Sequence, residues 1–257
     1  MSKQGRNRTR EMRAAQAEEA RRAAARRRVF MWVGGVVILG LVAAIVWAVV
    51  QASSGDGDDT PSGSSGELVV PDNVADDEVS IPVGSAEAPV TVSVYFDYIC
   101  PACGAFEQAN SAELDRMIEE EEVLVELRPI SFLDQTSQGT EYSTRAANAL
   151  ATVAAESPEH VWEFHSALYA NQPAEGTTGL SDDEIAGLAE DAGVPTEVTA
   201  LFTDRIYDPW VADVTEKAFD SGVEGTPTVL IDGETFQDDP YTTGPLTEAV
   251  RAAAGEQ

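Results

Sequence analysis

Cys100 and Cys103 are the only two cysteines in a chain of 257 residues, and they stand three positions apart in Cys100-Pro101-Ala102-Cys103. A pair so placed can close into a disulfide and open again, so the chemistry it suggests is thiol-disulfide exchange through a mixed-disulfide intermediate. A structural staple explains the pair less well, because crosslink stabilisation grows with the length of the closed loop and this loop is very short. Zinc is another alternative, since Cys-x-x-Cys is half of many zinc sites. No second cysteine pair follows, however, and the only histidines are His160 and His165. Their five-residue spacing puts them on different helix faces. The expectation is a redox dithiol with no metal and no bound cofactor.

Local order separates the roles of the two sulfurs. Pro101 suits the first position of a helix, which makes Cys100 the N-cap and leaves the amides of Ala102 and Cys103 without intrahelical partners. A Cys100 thiolate would accept those amides at the positive end of the helix dipole, so its pKa is expected below the free value of about 8.5. Cys103, one turn in, is expected to be more buried and less acidic. Cys100 is then the nucleophile, and Cys103 resolves the mixed disulfide by attacking the Cys100 sulfur. Asp97 and Glu107 are the nearest carboxylates and would oppose thiolate formation if they approached it; the plainer expectation is that both are solvated or capping groups.

The elements that must hold this segment follow from periodicity. Residues 88–98 are rich in valine and aromatics and predict a central strand buried on both faces. Residues 101–118 predict a helix, interrupted near Asn110, and 123–128 a second strand. The acidic run 119–122 between them reads as a solvated turn. From 140 to 221 the signals are helical: Ser157-Pro158 and Asp208-Pro209 are cap-plus-proline starts, Ser181 to Glu184 is a capping box, and Gly193 and Gly222 are stops. Trp162, Phe164, Tyr169, Phe202 and Trp210 are assigned to the core of this block. Residues 228–231 and 234–236 predict a hairpin turning at Asp232-Gly233, and 245–254 a last helix. The order describes one α/β sandwich with a mixed sheet and a helical insertion over about residues 138–222.

Charge divides the chain. Residues 1–28 carry ten Lys or Arg against three Glu, a net of +7, whereas the rest carries six against 42, a net of -36. Between these regions, residues 29–50 are uncharged and long enough to cross a hydrocarbon core, with Trp32 and Trp47 near the two ends. A retained signal-anchor is expected; a cleaved signal peptide ending near Ala52 is the alternative, although the apolar run exceeds the usual h-region. Arg26, Arg27 and Arg28 abut one end, and no Lys or Arg occurs from Gln51 until Arg116. The positive-inside rule then gives a single-pass protein of the cell membrane with a cytoplasmic basic tail (1–28) and an extracytoplasmic main domain. Disulfides persist in that compartment. Residues 51–78 read as a flexible linker, with the folded domain at 79–257. The acidic domain lacks the clustered Lys and Arg that phosphate contacts need, which argues against nucleic acid.

The segment Phe96-Asp97-Tyr98-Ile99-Cys100-Pro101-Ala102-Cys103, preceded by Ala88-Pro89-Val90-Thr91-Val92, resembles the active-site region of DsbA-like members of the thioredoxin superfamily. Residues 162–169 resemble the helix that follows the large insertion in that family, and Gly225-Thr226-Pro227-Thr228 its cis-proline loop. The resemblance implies a thioredoxin-like fold with a helical insertion, Cys100 and Cys103 as catalytic redox pair, and Pro101-Ala102 as active-site dipeptide. It also implies a Thr226-Pro227 edge that binds substrate beside the nucleophilic sulfur. By the same resemblance the chain introduces disulfides into secreted or cell-envelope proteins bearing cysteines and is reoxidised by a quinone-linked DsbB-like or VKOR-like membrane oxidase. Ala102 departs from the histidine of strongly oxidising relatives. That departure, with Thr226 before the cis-proline, leaves a reductase or isomerase as the alternative of the same chemistry. Outside it stand a non-catalytic surface binding module with an inert disulfide and a metal chaperone, the latter lacking an evident third ligand. His165 is expected to pack or hydrogen-bond within its own helix.

Overall fold

The computed structural model describes residues 68–255. The basic tail, the apolar segment 29–50 and linker residues 51–67 lie outside the described residues. Among the described residues no helix is long and apolar enough to cross a membrane.

Valine and aromatic side chains with little polar interruption make the middle of the sheet. Its strands are β1 (Ile81–Gly84), β2 (Val90–Phe96), β3 (Val123–Pro129), β4 (Thr228–Ile231) and β5 (Glu234–Thr235), in the order β1-β3-β2-β4-β5. β2 and β3 run parallel, and the other three pairings are antiparallel. All of β2 except Thr91 is buried, as its continuous apolar pattern demands. β3 alternates instead: Val123, Val125, Leu127 and Pro129 face the core, while Glu126 and Arg128 form a half-buried polar cluster with Ser93, Tyr95 and Asp77 on the other face. The Asp232-Gly233 turn has φ of 48° and 83°. Two consecutive left-handed residues are what a two-residue hairpin turn requires.

β1 was not among the predicted strands. It has four residues, one of them Pro82, and survives because it lies at the sheet edge, where a missing amide costs least. The assignment of residues 68–78 to the linker is also corrected. Val70 and Val74 pack against the core, Asn73 donates to the Ala154 carbonyl at 3.2 Å, and Trp210 donates to the Glu78 carbonyl at 2.8 Å. Composition hid this, because the apolar contacts are few and sit among acidic residues.

The described helices are α1 (Pro101–Glu119), α2 (Tyr142–Glu156), α3 (Val161–Ala170), α4 (Asp182–Asp191), α5 (Thr196–Thr199), α6 (Asp208–Asp220) and α7 (Pro245–Ala253). α1 packs on β1 and β3, α7 on β2 and β4, and the two helices meet. Phe106, Leu114 and Met117 bury one face of α1, each contributing about 1.5–3 kcal/mol by removing apolar surface from water. The predicted break at Asn110 does not occur. Its buried amide donates to the Phe106 carbonyl and to the Pro240 carbonyl, both at 2.8 Å, so a poor helix former is held by a tertiary contact.

α2 is the centre of the insertion. Its alanines let α3, α5 and α6 approach closely, and eleven of its fifteen residues are buried. The five aromatics assigned to this core are all buried. Ser181 and Glu184 form the expected capping box. Ser157 leads instead into a short 3-10 turn without a side-chain cap, and Asp208 is the first residue of α6 rather than its cap. The Arg205 guanidinium takes the Asp208 carboxylate at 2.7 Å, removing it from the helix amides.

Candidate active site

β2 ends directly below the cysteines, so the buried strand sets the position of the following turn. Cys100 is the N-cap of α1 with φ -71° and ψ 117°, and Pro101 opens the helix. The two sulfurs are adjacent but not bonded in this structure; Cys100 is 5% exposed and Cys103 1%. The Thr226-Pro227 peptide is cis, and its loop crosses the cysteines so that the Cys100 sulfur lies 3.4 Å from the Thr226 carbonyl. Thr226, 126 residues from Cys100 in sequence, and the amide of Ala102 thus meet at one sulfur, with Pro101 and Pro227 beside them in the chain. Thr226 and Pro227 also border an open groove of about 640 Å³ across the sheet face that carries Tyr95 and Arg128.

The electrostatics of the two thiols diverge. A hydrogen bond from the Cys103 thiol, with others from the Thr226 side chain and the amides of Cys103 and Ala102, lowers the Cys100 pKa from 9.0 to about 6 against the opposing cost of burial. The thiol form can still donate to the Thr226 carbonyl, but that single acceptor is outweighed by several donors to the thiolate. Burial pushes the Cys103 thiol well up, and the hydrogen bond to Cys100 and its charge add to the rise.

Asp97 is fully buried, contrary to the expectation of a solvated or capping carboxylate. It is satisfied by three donors from three segments: the Ile99 amide at 3.0 Å, the Leu133 amide at 2.8 Å and the Ser143 hydroxyl at 2.6 Å. Its backbone carbonyl accepts the Cys100 amide at 3.0 Å and the Tyr169 hydroxyl at 3.3 Å. Burial raises its pKa from 3.8 to about 6, more than those bonds lower it. The neutral acid is thus favoured in the fold, and the stability it contributes is complete below pH 3.8 and lost as pH rises through about 6. That loss amounts to about 3 kcal/mol. Asp97→Asn offers one acceptor oxygen to the same three donors, so it should cost about 1–3 kcal/mol through an unsatisfied amide. It should also abolish the decline between about pH 4 and 6. Denaturant unfolding at pH 4.5 and 7.5 checks this, and an unchanged pH profile would refute it.

Glu107 is likewise buried, one turn beyond Cys103. Its carboxylate lies 3.2 Å from His165 Nε2, and His165 Nδ1 lies 3.1 Å from the Tyr98 hydroxyl. Tyr98, His165 and Glu107 thus form one buried hydrogen-bonded chain beneath the active-site turn. The hydrogen bonds of His165 go to α1 and to the active-site turn, whereas its packing within α3 is as the sequence suggested. Its ring is also stacked on Trp162 and meets the edges of Phe96 and Tyr169.

Gln172, which no motif marks, reaches the same turn. Its side-chain amide donates to the Cys100 carbonyl at 2.8 Å and to the Tyr98 carbonyl at 3.1 Å. A lone glutamine after a helix carries no signal of its own. The glycine at 104, set inside α1 where glycine weakens a helix, is the one sequence hint that something lies close by.

Comparison with known proteins places these features in a family. A family model described as thioredoxin matches residues 76–251. Oxidised DsbA from Mycobacterium tuberculosis is 28% identical with a TM-score of 0.60, over 68% of this chain and 93% of that one. MdbA of Actinomyces oris, a thiol-disulfide oxidoreductase, is 28% identical with a TM-score of 0.60, over 71% and 89%. The serine/threonine-protein kinase PknE of M. tuberculosis is 34% identical over 124 residues, 46% of this chain, and the match spans only 22% of that kinase.

Proposed function

From the premise that the chain belongs to the thioredoxin family whose model spans residues 76–251, we propose that it is an extracytoplasmic thiol-disulfide oxidoreductase that forms disulfides in secreted proteins. The observation that carries the direction is the Cys100 thiol lowered to about 6. A stabilised thiolate is a good leaving group and stabilises the dithiol form, so the Cys100–Cys103 disulfide accepts electrons readily.

In the forward reaction a substrate thiolate attacks the Cys100 sulfur of that disulfide. The Cys100–Cys103 bond breaks, a substrate–Cys100 disulfide forms, and Cys103 leaves and is protonated. A second substrate thiolate then attacks the substrate sulfur of the mixed disulfide and expels Cys100 as thiolate. The substrate loses two electrons and becomes a disulfide; Cys100 and Cys103 gain them as a dithiol. In this scheme Thr226 and Pro227 bind the substrate backbone beside Cys100, and the substrate chain lies along the groove they border. A quinone-linked DsbB-like or VKOR-like membrane oxidase returns the pair to the disulfide.

Anchoring by residues 29–50 is part of the proposal, supported by the length of the apolar run and the arginines that flank it. The full chain should then resist alkaline carbonate extraction from membranes. Direction is tested by equilibrating residues 67–257 with glutathione buffers. A potential toward about -120 mV supports disulfide formation, and one near about -270 mV would replace it with a reductase. Ala102 in place of histidine should leave the value between these limits.

A further inference from the structure

We infer that Gln172 is a positioning residue for Cys100, clamping the active-site turn from the end of α3 through hydrogen bonds to the Tyr98 and Cys100 carbonyls, and that residue 104 is glycine to admit it. Carbonyl oxygens only accept, so the amide NH2 of Gln172 must face the turn, at 3.1 and 2.8 Å from the two oxygens. The other side of the same amide then faces α1. A Cβ at position 104 would come within 2.2 Å of Gln172 Oε1 and 3.0 Å of its Cδ. Gly104 is in the first turns of α1, where its own amide donates to the Cys100 carbonyl at 3.2 Å. The Cys100 carbonyl thus receives two donors, one from the helix and one from Gln172.

The consequence is electrostatic as well as steric. The Gln172 amide points its positive end at the peptide of Cys100 and holds the turn in the N-cap geometry that aims the Ala102 and Cys103 amides at the sulfur. Without it, the turn is released and two carbonyl dipoles next to the thiolate go uncompensated. A substituent of similar shape but negative charge should be worse, because it repels both oxygens and the thiolate. The inference rests on the exchange reading only in treating Cys100 as the reactive thiolate.

Its test is the pH titration of the Cys100 thiolate absorbance in reduced protein. Gln172→Ala should raise the midpoint by about half a pH unit and Gln172→Glu by about one or more. Gly104→Ala should move it as Gln172→Ala does, and the double variant should move it no further, since both remove one contact. Melting temperature is recorded in parallel. A fall in melting temperature with the midpoint unchanged in both Gln172 variants overturns the inference, and so do additive shifts from Gly104→Ala and Gln172→Ala. A wild-type protein with a reducing potential would sink the proposed direction of exchange while leaving this ordering of midpoints intact.

Discussion

Cys103→Ser protein should accumulate covalent complexes with disulfide-bearing substrates, visible as bands that collapse on reduction, while Cys100→Ser should form none. The Cys100 thiolate attacks the substrate disulfide, forms a mixed disulfide and releases the other substrate sulfur as a thiolate. Cys100 is the sulfur that meets the cis-proline loop, 3.4 Å from the Thr226 carbonyl, and Cys103 is the more deeply buried of the two, 1% exposed. A mixed disulfide on Cys100 is opened from within by Cys103; serine there leaves it without a resolving thiol. The two variants differ for a second reason. At pH 7 a thiol with pKa about 6 is mostly thiolate, whereas Cys103 lies well above 9.0 and is less than about 1% thiolate. Exchange initiated at position 103 should therefore be slower, since the small thiolate fraction outweighs the greater intrinsic nucleophilicity of a less acidic thiol and burial restricts it further. Equal complex formation by the two variants would reverse the assigned roles. Complexes from neither would point to an inert disulfide.

How far this site was readable varies with the range of the interaction. Cys100, Pro101, Ala102 and Cys103 are contiguous, and proline at the first helical position fixes the N-cap geometry locally, so the direction of the Cys100 shift followed from the amides of Ala102 and Cys103, but its larger causes, the Cys103 thiol and the distant Thr226 side chain, did not. The hairpin at Asp232-Gly233 and the box at Ser181-Glu184 were legible because they too are local. Thr226 and Pro227 were placed through resemblance, since nothing local says which sulfur a distant loop will meet. Asp97 shows the opposite case. It interrupts an apolar run, and an isolated acid is ordinarily solvated, but here the donors are Leu133 and Ser143, 36 and 46 positions away. No spacing rule reports that pairing. Gln172 lies 72 positions from Cys100 and was invisible for the same reason. β1 and residues 68–78 were missed because each owes its order to a partner already in place, β3 for one and the ends of α2 and α6 for the other.

Reduced protein should gain stability over oxidised protein as pH rises from about 6 to 9. The folded pKa of Cys100, about 6, is below its unfolded value of 9.0, so the thiolate contributes stability that is complete above pH 9 and lost as pH falls through 6. The full contribution is at most about 4 kcal/mol, reduced by solvent screening, and about a third of it is present at pH 7. Oxidised protein has no thiol at position 100 and lacks this rise. Asp97 slopes the other way between about pH 4 and 6, but it does so in both forms and cancels in their difference. Cys103, raised above 9.0, begins to oppose the gain only at higher pH, so denaturant unfolding of the two forms from pH 5 to 8.5 isolates Cys100. Linkage then ties this curve to redox behaviour. Every 1.4 kcal/mol by which the reduced form is favoured makes the disulfide more oxidising by about 30 mV. The stability gap at pH 7 and the measured potential must therefore move together across the Gln172 variants, since raising the Cys100 pKa erases both. Parallel unfolding curves for the two redox forms would mean that the Cys103 thiol, the Thr226 side chain and the N-cap amides do not stabilise the thiolate, and the electrostatic argument for disulfide formation would fall with them.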